Sequence, residues 1–243
     1  MLQGSSKRVV PRALSDLAAD AVKLVRQVQP RGPYILLGSC VVGAVAMEVA
    51  QQLTDAGEHV PLVILSDVWA PGFREGMTKW DKLLRQLQHR SYNMKLDLAA
   101  VRRGEISKKE AIERTGIFNL LRGRSLAGDR SMRQLEVMTE GFHSGWYLTQ
   151  IMWACTHHRP EPYPGRVVQF RSSFIPEGRL FERNFGWSGI IKGEYEVFDT
   201  PGHHDETWKN PAALSVISDR LSPILRAIDE QCGMADSRGK KRV

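Results

Sequence analysis

The apolar residues in the first part of the chain follow two different spacings. Residues 15–29 and 43–53 carry them every three or four positions, which predicts an amphipathic helix followed by a buried one. Residues 34–37 and 60–65 are short apolar runs, and this pattern is typical of parallel strands that are buried on both faces. Helix, strand, helix and strand therefore follow one another, and we predict a βαβ unit that is complete by Asp67.

The pattern changes after this unit. Residues 72–160 are rich in Lys, Arg, Gln and Met and have helical periodicity, so we predict a helical insertion that ends at the turn-forming segment 161–165. Residues 1–243 are long enough for one domain with a sizeable core, and residues 231–243 are predicted to be a disordered basic tail. The remaining predicted elements are strands at 166–171 and 195–198 and a closing helix at 210–228.

Composition excludes several classes of protein. Hydrophobic residues make up 42% and charged residues 25%, which is ordinary for a globular domain. No apolar run approaches the roughly 20 residues of a membrane span, and no signal peptide is evident, so we expect a cytoplasmic location. The three cysteines lack metal-ligand spacing, so we predict neither a zinc site nor a disulfide scaffold. The net charge of +7 indicates an acidic partner, but its sign alone does not distinguish nucleic acid, membrane or protein.

Residues 38–43, Gly-Ser-Cys-Val-Val-Gly, lie where a strand turns directly into a helix, as a nucleophile elbow requires. Cys40 would then sit at a helix N-terminus, where free N–H groups and the helix dipole favour the thiolate. The N–H of Val41 is placed to stabilise an oxyanion. Ser39 is a competing nucleophile, but Leu37 stands where the turn would then need glycine. A buried, inert Cys40 is the structural alternative.

A nucleophile also needs a base and an orienting carboxylate. Asp67 follows the strand at residues 60–65, and His204 follows the last predicted strand, so both are expected at the same sheet edge as Cys40. The order nucleophile, acid, histidine is that of α/β-hydrolases. A capping aspartate and a turn histidine are the alternatives, and His203 could replace His204. The other cysteines and two histidines are predicted to be inert or on the surface: Cys155, Cys232, His157 and His158.

Several segments in the same order resemble one known family, the thioesterase domains that end non-ribosomal peptide and polyketide synthases. Residues 29–34 resemble its approach to the first active-site strand, and residues 162–167 its return from the lid. Residues 186–187 and 201–204 resemble the segments that precede and carry the catalytic histidine. The resemblance extends from about Ser15 to Glu230 and is weakest in the predicted lid.

The resemblance implies an α/β-hydrolase core with a helical lid over the site. It also implies a thioesterase that releases an acyl or peptidyl chain from the phosphopantetheine of a carrier protein, by hydrolysis or cyclisation. In this interpretation Cys40 forms the acyl-enzyme, His204 transfers the proton and Asp67 orients His204. The expected partners are an acyl or peptidyl carrier protein and a small-molecule acyl chain, not nucleic acid or membrane. Neither a cofactor nor a metal is expected on this chain.

Three departures from the family pattern keep alternatives open. Cys40 replaces the usual serine, Val42 replaces a glycine, and the family's opening strands would have to precede Ser15, so we expect an N-terminally incomplete core. Those strands carry the loop with the second oxyanion donor, whose loss costs roughly two to three orders of magnitude in rate. The alternatives are a catalytically degenerate binding domain and a cysteine hydrolase of small esters or lactones, similar to dienelactone hydrolases.

Overall fold

A computed structural model of the chain describes residues 12–115, 144–204 and 207–239. Its helices and strands follow one another in the α/β alternation that the sequence predicts. In chain order they are α1 (Leu14–Val28), β1 (Ile35–Ser39), α2 (Val42–Asp55), β2 (Leu62–Ser66), α3 (Lys79–Arg102), α4 (Lys108–Thr115), α5 (Ser144–His157), β3 (Val167–Ser172), β4 (Tyr195–Thr200) and α6 (Pro211–Gly239).

The four strands of the described residues form one sheet in the order β1-β2-β3-β4, and every neighbouring pair is parallel. All residues of β2 and β3 are buried, because helices cover both faces of the sheet. Val63 and Leu65 face a core shared with α1 and α2, whereas Leu62 and Ile64 face α6. The predicted α/β fold with a parallel sheet is confirmed.

α3, the first helix of the predicted insertion, contacts the segments that follow β2 and β3, whereas α5 packs against α1 and α2. α3 begins with a capping box, in which Thr78 and Asp81 satisfy each other's backbone N–H groups. The same Asp81 forms an ion pair of 2.7 Å with Arg179, and Tyr92 donates a hydrogen bond of 3.1 Å to the carbonyl of Ser173. α3 is thereby attached to the long connection between β3 and β4.

The last helix is longer than the sequence pattern predicts. α6 continues to Gly239, so residues 231–239 are helical where we expected a disordered tail, and residues 240–243 lie outside the described part. Residues 231–239 contain no proline and include several good helix formers, which allows the helix to continue. None of the helices in the described ranges is both long and apolar enough to cross a membrane.

Candidate active site

The turn between β1 and α2 holds Cys40 in a strained backbone conformation. Its φ is +53°, in the left-handed region that residues other than glycine rarely occupy. Its N–H donates a hydrogen bond of 2.9 Å to the carbonyl of Ser66, and its own carbonyl accepts one of 3.1 Å from Gly43. Cys40 is exposed, which contradicts the alternative of a buried, inert cysteine. Ser39 is the last residue of β1 and lies outside the apex of this turn.

Two glycines permit the close approach that this turn needs. A Cβ on Gly38 would lie 2.8 Å from the Cβ of Ala46 and closer still to the backbone of Gly43, and a Cβ on Gly43 would overlap the side chain of Val68. Val42, which departs from the family pattern, has 44% of its surface exposed and therefore does not occupy this tight contact. The glycine that the contact requires is present one position later, at Gly43.

The carboxylate of Asp67 lies at the end of β2 and is almost completely buried, with 2% of its side chain exposed. Its Oδ1 accepts a hydrogen bond of 2.8 Å from the N–H of Ser172, and its Oδ2 lies 2.9 Å from Nδ1 of His204. Asp67 also has a positive φ, +51°, and its N–H donates to the carbonyl of Phe170. The carboxylate is therefore fixed by two strands and presents one oxygen to the imidazole.

A buried hydrogen-bond network fixes the turn that carries Asp67, through the carbonyl of the next residue, Val68. The carbonyl of Val68 accepts hydrogen bonds from Nε2 of Gln169, at 3.2 Å, and from Nε1 of Trp187, at 2.8 Å. The hydroxyl of Tyr195 in turn donates to Oε1 of Gln169 at 3.0 Å. Sequence reasoning missed these supporting residues, although a glutamine inside the buried run of β3 was a signal, because a buried amide needs partners.

Cys40 and His204 interact directly and shift each other's titration. Desolvation by the surrounding protein would raise the pKa of the Cys40 thiol, which solvent still reaches, but the hydrogen bond and positive charge of His204, together with the Val41 N–H, lower it. Burial would lower the pKa of His204, yet hydrogen bonds to Asp67 and Cys40 raise it to about 10. Each shift favours the charged form of its group, and a thiolate beside an imidazolium is the reactive form of a cysteine nucleophile.

Comparison with known proteins identifies the family of the chain. Residues 3–134, more than half of the 243, match the model of the thioesterase domain family. The chain belongs to this family. A relative in Bacillus subtilis strain 168, described as a dimodular nonribosomal peptide synthase, is 27% identical over 91% of this thioesterase domain. Malpinin synthetase of Mortierella alpina is also 27% identical, over 88%. The chain spans only 9% and 2% of these two relatives.

Solved structures of thioesterase domains share the fold. The NocB thioesterase domain, in covalent complex with a fluorophosphonate nocardicin G analogue, superposes with a TM-score of 0.54. The two are 20% identical, and the match covers 91% of this chain and 78% of that one. At this identity the likeness establishes the fold, so the predicted α/β-hydrolase core is confirmed.

The structure also places the remaining candidates of the thioesterase domain. The ring of His203 stacks on Phe174, whereas Nδ1 of His204 lies 2.9 Å from Oδ2 of Asp67, so His204 is the histidine described in contact with the acid. His158 was predicted to lie on the surface, and this is wrong, because it is largely buried in a 3.1 Å pair with Glu48. Asp205, the next acidic candidate along the chain, lies outside the described residues.

The two other cysteines differ from Cys40 in their surroundings. Cys155 is half-buried in α5, and burial, with smaller effects of Glu75 and Cys40, raises the pKa of its thiol to about 12. Cys232 is half-buried in α6 and packs against the core on the other face of the sheet. Neither is placed at a strand-to-helix turn.

The tight elbow gives a first prediction. Replacing Gly38 by alanine should destabilise the thioesterase domain by about 1–3 kcal/mol, because the new methyl group meets backbone atoms that cannot rotate away. Urea denaturation would measure the loss. Gly76→Ala is the matched control, since the nearest atom to its Cβ lies 3.7 Å away, and its stability should be unchanged or slightly higher. Equal losses in both variants would contradict the packing argument.

Proposed function

We propose that this thioesterase domain releases an acyl or peptidyl chain from the phosphopantetheine thioester of a carrier protein through an acyl-enzyme on Cys40. The observation that carries the proposal is the hydrogen-bonded line from buried Asp67 through His204 to the exposed thiol of Cys40. A nucleophile, a base and an orienting acid in this order can perform acyl transfer. The three groups together indicate acyl transfer more specifically than any one of them alone.

In the first half of the reaction, the Cys40 thiolate attacks the thioester carbonyl and the Val41 N–H donates to the oxyanion. The tetrahedral intermediate collapses with cleavage of the bond between the acyl carbon and the pantetheine sulfur. His204, as imidazolium, gives its proton to the departing pantetheine thiolate. The acyl chain is then held as a thioester on Cys40.

In the second half, water or a nucleophilic group of the chain itself attacks the Cys40 thioester while His204 accepts its proton. Collapse of the second intermediate releases the free acid or the cyclic product and returns Cys40 as thiolate beside the imidazolium. Because the acyl-enzyme is a thioester, it retains acyl-transfer potential that an oxoester would partly lose. This supports cyclisation or aminolysis as an outcome besides hydrolysis.

The relatives support a carrier-bound substrate. The two curated relatives are described as peptide synthetases, and a solved thioesterase domain, SrfTE, is described in connection with the cyclisation of surfactin. Carrier proteins are typically acidic, and the net charge of +7 on this chain suits such a partner. We therefore propose an acyl or peptidyl carrier protein, which another polypeptide or another part of the same one supplies.

The test is release of pantetheine thiol from acyl-pantetheine thioesters, followed with a thiol-specific dye and by mass spectrometry of the acyl product. We expect turnover and a transient acyl-enzyme at Cys40, and Cys40→Ala should lose both. A panel of small free esters and lactones is the comparison. Preference for the free esters would replace the proposal by a small-ester hydrolase, and binding without turnover of any substrate would indicate a degenerate binding domain.

A further inference from the structure

Arg85 is a partly buried cation for which the described residues provide no carboxylate. Its guanidinium carbon lies 4.2 Å from the centre of the Trp69 ring and 4.6 Å from that of Phe181. Its Nε is buried and has no hydrogen-bond partner among the described residues. Asp81, one turn earlier in α3, forms its ion pair with Arg179 instead. Contact with aromatic rings offsets part of the desolvation of the charge but does not accept the in-plane hydrogen bonds of a guanidinium.

Arg74 and His89, the groups described as interacting electrostatically with Arg85, are also basic. Burial, and to a smaller extent the positive charge of Arg74, lowers the pKa of Arg85 to about 10. His89, one turn later in α3, has its pKa lowered by burial and then by Arg85. A partly buried cation among other basic groups is costly unless an anion joins it. A ligand anion would complete the site.

The basic cluster formed by Arg74, Arg85 and His89 lies beside the candidate active site. Trp69 is two residues after Asp67, and its ring packs within 5.0 Å of Phe73 and 4.8 Å of Phe185, measured between ring centres. On the other side, His89 lies within electrostatic range of His203, the neighbour of His204. Arg85 therefore contacts the segment that follows the acid, at Trp69, two residues beyond Asp67.

We propose that Arg85 is an anion subsite that binds an acidic group of the thioester substrate. The group is a carboxylate of the acyl chain or the phosphate of the phosphopantetheine arm, since both present paired oxygens to the planar edge of a guanidinium. The inference rests on the proposed function, because that function supplies the substrate, and it adds a chemical preference to it.

The experiment is calorimetric titration of the protein with amide analogues of acyl-pantetheine, in which nitrogen replaces the thioester sulfur and prevents cleavage. Four analogues combine a terminal carboxylate or a methyl group on the acyl chain with phosphopantetheine or pantetheine. Comparing them separates the two sources of the anion. The variants are Arg85→Gln, Arg85→Lys and, as a charge-matched control on the same helix, Arg90→Gln, with thermal melts to verify folding.

We expect one of the two anionic groups to tighten binding by about 10- to 100-fold in the wild type, as for a hydrogen-bonded ion pair. Arg85→Gln should lose this preference, whereas Arg90→Gln should retain it. If Arg85→Gln does not fold, Arg85→Lys decides, because it retains the charge but loses the paired donors and should show a reduced preference.

Equal affinities of the charged and neutral analogues in the wild type would overturn the subsite. So would an equal loss of the preference for anionic analogues in Arg85→Gln and Arg90→Gln, or an unchanged preference for them in Arg85→Lys. These outcomes are independent of turnover. A protein that binds the anionic amides selectively but cleaves no thioester would retain the subsite and refute the proposed function. Turnover without any anion preference would refute the subsite and retain the proposed function.

Discussion

Replacing Asp67 by asparagine should lower turnover of an acyl-pantetheine thioester by roughly three to four orders of magnitude and leave the fold intact. The loss follows because the amide cannot stabilise the imidazolium and can hold His204 in the wrong tautomer. The fold should persist because asparagine retains an oxygen for the Ser172 N–H and tolerates the positive φ of this position. Steady-state kinetics with the purified variant would measure the change, and far-UV circular dichroism would verify the fold.

The matched control for this substitution is Asp199→Asn. Asp199 lies at the same edge of the sheet, in β4, but pairs with Arg171 and Arg183 and makes no described contact with His204. Its loss should reduce stability modestly and leave the pH dependence of turnover unchanged, whereas Asp67→Asn should also reduce the upward shift in the pKa of His204, to which Cys40 still contributes. Near-normal turnover in Asp67→Asn would contradict the assignment and direct attention to Asp205.

The core of the fold was predictable because the sequence patterns that indicate its helices and strands are local. β2 is a continuous apolar run because helices cover both faces of the sheet, and α2 carries its apolar residues at helical spacing. The end of α6 was not predictable in this way. Charged residues near a C-terminus suggest a tail, but the helix continues to Gly239 because neighbouring residues permit it, which periodicity alone does not reveal.

The candidate site was predictable only as far as chain order and strand ends determine it. Cys40, Asp67 and His204 each follow a predicted strand, so a parallel sheet places them at one edge. The support of Asp67 by Trp187 depends on a contact 119 positions apart in sequence. The position of Arg85 likewise depends on its contacts with Trp69 and Phe181, which are distant from it in sequence. Such contacts are products of tertiary packing, and a single sequence carries no local pattern for them.

At pH 6.5 a small alkylating reagent such as iodoacetamide should modify Cys40 at least about 100-fold faster than Cys155. Alkylation follows the fraction of thiolate and its accessibility. The pKa of Cys155 is raised to about 12, so about three thiols in a million are ionised at pH 6.5, and the residue is only half-exposed. Cys40 is exposed and has a lowered pKa, so its reaction should persist to lower pH than that of an ordinary thiol.

The pH profile distinguishes activation by His204 from mere exposure. If the imidazolium lowers the pKa of Cys40, then His204→Gln should move the alkylation profile of Cys40 to higher pH and reduce its rate at pH 6.5 by about 10-fold or more. His203→Gln is the matched control, because it removes the adjacent ring while leaving the pair of Asp67 and His204, and the profile should stay in place. Peptide mass spectrometry over a series of pH values would measure both. Equal, slow modification of all three cysteines would refute Cys40 as an activated nucleophile. If His204→Gln leaves the pH profile of Cys40 unchanged, the reactivity is due to the turn alone, with its helix N-terminus and the Val41 N–H, and not to His204.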